Sequence, residues 1–134
     1  MIIADRRFFI LLAYLLTASI CYSQSTNNPL IHNWRYAGVE EFGVMKQADS
    51  TMKNDMLQLK ADGIFIMIKN GKEINGVWSA NEKNETISLT DSKTKKSLIY
   101  NIKSIDEKTL IIEYQTPDLV RTRYKYEASN ERLK

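Results

Sequence analysis

Five tyrosines, two tryptophans and a phenylalanine carry most of the chemical potential of this chain, because its acids, bases and nucleophiles are badly arranged for catalysis. There is one histidine, His32, near the start of an extended segment. A nucleophile–base–carboxylate relay needs that imidazole beside a serine or cysteine and held by an acid, and no Ser or Asp motif completes one. Two acidic doublets occur, Glu40-Glu41 and Asp106-Glu107. Neighbouring residues on a strand point to opposite faces, so Glu40 and Glu41 cannot work as an acid–base pair. Asp106 and Glu107 fall in a turn, where charges are solvated. Zinc needs three or four ligands, and a single histidine and a single cysteine would leave it almost wholly to carboxylates. The five glycines form neither a phosphate-binding loop nor a dinucleotide fingerprint. The expectation is a protein that is not an enzyme and that needs no metal or cofactor.

The aromatic residues offer recognition instead. Trp34, Tyr36, Phe65, Trp78, Tyr100, Tyr114, Tyr124 and Tyr126 fall at the inward positions of successive alternating segments. Buried phenol and indole groups need polar partners, and small-molecule sites combine apolar walls with a few placed polar groups. The candidate ligand-binding set is therefore Tyr36, Tyr100, Tyr114 and Tyr124, with Phe65, Met67 and Trp78 as walls. The same residues would serve equally as plain core.

Strands must position them. Between Asp55 and Glu127 seven short segments alternate in polarity, separated by turns such as Asp62-Gly63, Asn70-Gly71 and Gln115-Thr116-Pro117-Asp118. An eighth, from Leu30 to Glu40, precedes them and carries Trp34, Tyr36 and Gly38 at period two. Even spacing with no helix-period segment predicts an antiparallel meander, which must close or stack to hide its edges. The fold class is all-β, a small eight-stranded up-and-down barrel whose interior is just wide enough for side chains or one small ligand. Asn70-Gly71 predicts a tight type I′ hairpin. Gly76, inside a strand, predicts a bend or a close approach by another group. Ile64 to Lys69 is apolar on both faces, so cover is expected on both sides. Glu41 to Asn54 has broken helical spacing through Val44, Met45, Ala48 and Met52, and reads as a short helix or a loop.

The first residues read differently. Arg6-Arg7 precedes an apolar run from Phe8 to Ile20, shorter than the roughly 20 residues of a membrane span. Small and polar residues follow, which predicts a signal peptide over 1–23, cleaved after Ser23, and one domain over 24–134. The domain is then exported, periplasmic or extracellular, without a membrane span. Lipidation at Cys21 is disfavoured by the β-branched Ile20 before it and by Ala18, where leucine is usual. Beyond the leader no cysteine remains, so no disulfide helps a small core. The formal net charge of +3 is spread along the chain, with Lys93, Lys95 and Lys96 confined to a turn. That pattern gives no basic face for nucleic acid.

Three short motifs, Asn33-Trp34, Asp62-Gly63-Ile64-Phe65 and Gly76-Val77-Trp78, resemble those of small lipocalin-like domains exported by bacteria, over about Leu30 to Glu127. The resemblance implies an up-and-down barrel that carries a small apolar or amphipathic molecule. His32 stands where larger lipocalins have the glycine of Gly-x-Trp, and the Thr-Asp-Tyr turn is missing. Both departures argue against a deep hydrophobic pocket. The resemblance also implies an arginine over the first tryptophan, a role open to Arg121 or Arg123. The alternative is an interaction or structural module with a filled core and an exposed patch around Ile64, Ile66, Ile68 and Ile99.

Overall fold

The computed structural model describes residues 28–130; the predicted leader and its cleavage point lie outside them. Nine strands follow one another: β1 (His32–Glu41), β2 (Val44–Gln47), β3 (Met56–Leu59), β4 (Ile64–Lys69), β5 (Lys72–Asn81), β6 (Thr86–Asp91), β7 (Ser97–Ile105), β8 (Thr109–Gln115) and β9 (Arg121–Ser129). Each strand from β3 onward pairs antiparallel with the next, and β1 pairs with β9 along nearly its whole length. That last pairing closes the sheet into the expected eight-stranded barrel.

The ninth strand comes from the ambiguous stretch. β2 folds back on Gly38 to Glu41 of β1, while β3 pairs with His32 to Arg35 of the same edge. Between them the chain leaves the wall for a single 3-10 turn, Ser50–Met52, capped by Asp49, whose carboxylate accepts the Thr51 and Met52 amides at 2.9 and 3.2 Å. The segment is thus neither the short helix nor the plain loop of the sequence reading. Its strand is invisible to alternation because all four β2 side chains are exposed.

Local chemistry explains the tight connections. Asn70 and Gly71 both have positive φ, 52° and 77°, as a type I′ turn requires. Gly76 lies against β6 so closely that a Cβ there would sit 1.8 Å from the Thr90 carbonyl oxygen. The close approach expected from a glycine in a strand is what the barrel wall contains.

The interior divides lengthwise. One end, the closed end, is capped by Leu30 over Trp34, and a core of Leu57, Leu59, Ile87, Leu110 and Ile112, none more than 1% exposed, runs from it towards the tyrosines. Ahead of β1, Asn28 turns the chain by accepting the Leu30 amide at 3.0 Å, and Leu30 is buried in the same cluster. The Trp34 indole donates to the Leu30 carbonyl at 3.0 Å. Leu30 therefore seats the first tryptophan. Neither Arg121 nor Arg123 does so: Trp34 lies opposite Ala128 at the far end of β9, and Arg123 donates to Glu113 at 2.8 Å on the outer wall. The cover expected outside β4 is also absent among the described residues, where Ile64 stays 41% exposed beside Val77 at 57%.

Candidate ligand-binding site

Alternation along β1, β7, β8 and β9 sends five tyrosines inward at the other end of the barrel. The rings meet edge to face, with Tyr36 on Tyr126 at 5.8 Å, Tyr100 on Tyr124 at 6.3 Å, and Tyr114 tilted on Tyr100 at 5.7 Å between ring centres. Such offsets set the positive ring edge against the negative ring face.

Tyr36, Tyr100, Tyr124 and Tyr126 surround a cavity of about 80 Å³ with Met52 and Met56 and, from β4, Met67. Lys69, Asn70 and Asp55 complete its rim. The volume is well below the roughly 300–1,000 Å³ of drug-sized pockets. This small cavity lies at the tyrosine end; a larger groove of about 380 Å³ runs along Leu30, Ile102 and Ile105 at the other end.

The polar groups around this space have few partners. No hydrogen bond joins the four phenol oxygens to any described residue, and no buried side-chain polar atom is left unsatisfied. The hydroxyls therefore keep accessible surface. Asp55, 7% exposed, accepts the Asn70 amide at 2.9 Å and has no ion-pair partner among the described residues. The Lys69 ammonium lies 6.0 Å from the centre of the Tyr124 ring.

All four tyrosines hold their protons more firmly than free phenol. Burial is the largest cause each time, with repulsion from neighbouring charges added. Tyr100 is pushed up to about 12 by burial and then by Tyr124 and Tyr114. The Asp55 carboxylate adds to the rise at Tyr36 and Tyr126. At neutral pH the mouth thus offers neutral hydroxyls and ring faces around one buried carboxylate.

Of the seven residues singled out from sequence, Tyr36, Met67, Tyr100 and Tyr124 line the cavity. Phe65 does not: it is 2% exposed in the core beneath Gly76. Tyr114 stands behind Tyr100. Trp78 is not a wall of this space, since its indole donates to the Lys60 carbonyl at 2.9 Å near the closed end. Sequence reasoning passed over Asp55, Met52, Met56 and Lys69. Tyr126 could have been added, as it shares the inward face of Tyr124; Asp55, a lone acid after an irregular segment, gives no such signal. His32 is far from the tyrosines, at the other end of β1, where its Nδ1 accepts the Asn33 amide at 2.9 Å. Among the described residues no group of three or more His, Cys, Asp or Glu side chains could hold a metal.

These features define a small closed antiparallel barrel with one plugged end and one tyrosine-lined mouth. A crystal structure of a DUF4847 family protein from Bacteroides vulgatus ATCC 8482 shares this fold, with a TM-score of 0.56 and 14% identity, over 77% of this chain and 96% of that one. At that identity the likeness concerns the fold alone. No family profile and no curated protein matches the sequence.

Proposed function

We propose that this chain is an exported, lipocalin-like binding protein, not an enzyme, and that it holds a small amphipathic molecule at the tyrosine mouth. One observation carries the reading: four tyrosines whose hydroxyls have no protein partners line one cavity together with a buried acid. Those hydroxyls keep accessible surface rather than being sealed in the core, so they can meet the polar groups of a ligand. Methionines on the walls supply adaptable apolar contact. The ligand is a small molecule, or the tip of a larger one, since about 80 Å³ cannot enclose a lipid chain.

Export is supported by the leader pattern of residues 1–23, and mass spectrometry of the secreted form should give an N-terminus at Gln24. The alternative of a docking module is less well supported. Ile64 and Val77 form one exposed pair, but Ile99 is separated from them by Ser79 and Ser88, so the patch expected around Ile64, Ile66, Ile68 and Ile99 is not continuous.

Native mass spectrometry of protein purified from its own host tests the binding role. A retained small molecule that is lost on replacing Tyr100 and Tyr124 together by Phe supports it. A bare protein whose tyrosine absorbance responds to no compound in a small-molecule panel refutes it.

A further inference from the structure

The mouth holds an acid that its fold does not require. Asp55 is over nine-tenths buried with only one backbone amide for company. The carboxylate oxygen that meets no amide is left open rather than sealed. An asparagine would accept the same Asn70 amide and cap the hairpin, so the hairpin alone does not call for an acid. Glu41, which accepts from Thr122 at 3.2 Å, and Asp49 lie outside the lining and add only a longer-range negative influence on Tyr36 and Tyr124. The lining itself carries one acid, Asp55, and one base, Lys69, an exposed residue at the end of β4. Its ammonium already rests 6.0 Å from the Tyr124 ring centre, within the distance at which a ring face attracts a cation.

We infer that the mouth selects a small organic cation, an ammonium group carrying a few carbons, with Asp55 as its counter-charge and the tyrosine rings as its walls. The inference rests on the reading of the mouth as a small-molecule site and adds the ligand's chemical class. Aromatic faces present negative potential and phenol oxygens can accept from an ammonium, so with the Asp55 charge they favour a cation over an anion. A metal ion is a poor fit, because hard cations take six or more oxygen ligands and the mouth has a single buried carboxylate. The cavity holds an ammonium with a short apolar tail against Met52, Met56 and Met67. Lys69 then acts as the chain's own competitor, leaving the Tyr124 face when a ligand enters.

The test compares three probes of one size, n-butylammonium, 1-butanol and butyrate, titrated into the mature protein. The methyl resonances of Met52, Met56 and Met67 report occupancy. The expected result is saturable shifts with n-butylammonium, affinity at least about tenfold weaker for 1-butanol, and none measurable for butyrate. Asp55→Asn keeps the acceptor for Asn70 and should erase the preference for the ammonium. Lys69→Met should tighten n-butylammonium binding several-fold. Equal binding of n-butylammonium and 1-butanol, or tighter binding of butyrate, overturns the cation assignment and leaves the small-molecule reading standing. No shift with any of the three, up to concentrations near 0.1 M on the scale of weak fragment binding, overturns both. The probe comparison uses the wild-type chain, so it decides the matter even if a variant fails to fold.

Discussion

Gly76 shows how a single residue can be legible before any coordinates exist. Its place inside an alternating segment is unusual because glycine weakens a strand, so another requirement must outweigh that cost. The requirement is contact: a Cβ would meet the Thr90 carbonyl oxygen at 1.8 Å, its carbon at 2.9 Å and the Phe65 ring at 3.0 Å. Two of those atoms are backbone and cannot swing aside. Gly76→Ala is expected to lower stability by roughly 3 kcal/mol, at the upper end of ordinary overpacking, as a fall in the urea midpoint with unchanged slope. Asp55 is the opposite case. Its importance comes from what surrounds it after folding, and a lone acid between Asn54 and Met56 has no sequence feature to distinguish it from a surface residue. The inward tyrosines lie between these extremes. Alternation placed them on the right face, but their position along the barrel axis separates cavity from core, and that depends on strand register. Trp78 pairs opposite Leu89, well away from Tyr36 and Tyr124; nothing in its own segment says which end it occupies.

At the scale of elements, the legible strands are those with one buried and one exposed face. β9 is the plainest, with Thr122 and Tyr126 buried and Arg121 exposed. β2 could not be read this way, since it exists through main-chain pairing to Gly38–Glu41 and buries none of its side chains. The same physics governs its stability. A strand with one paired edge and no buried residue contributes little to the core, so it opens without unfolding the barrel. Amide exchange of Lys46, whose register places it in a hydrogen-bonded pair with Val39, should therefore be faster than that of Leu57 and Leu110 by more than ~100-fold under native conditions. Equal protection would mean that β2 is cooperative with the barrel. Because Met52 and Asp55 follow directly on this excursion and border the cavity, its opening would also be the natural route into the mouth.

For the whole molecule, concentrating the tyrosines at one end has a consequence at alkaline pH. Each buried phenol is neutral in the fold and must lose its proton against burial and against its neighbours. Tyr100 ionises at about 12 in the fold but at 10.0 when unperturbed. A raised folded value means that the folded state binds its proton more tightly than the unfolded chain does. The resulting stability is fully present below pH 10 and is lost as pH rises from about 10 through 12. Tyr100 alone accounts for roughly 2–3 kcal/mol at the top of that window, a large part of the stability of a small domain. Urea midpoints should be flat from pH 8 to 9.5 and then fall steeply, while the Tyr100 phenolate, read as the absorbance difference from Tyr100→Phe, appears in step with unfolding rather than ahead of it. Tyr100→Phe removes a hydroxyl that has no protein partner, so it should leave the midpoint at pH 8 within about 1 kcal/mol of wild type and shallow the alkaline decline. If the Tyr100 phenolate instead appears at pH 10 in a protein that is still folded, the mouth is wet enough to ionise freely, and the buried-cluster account of its electrostatics fails.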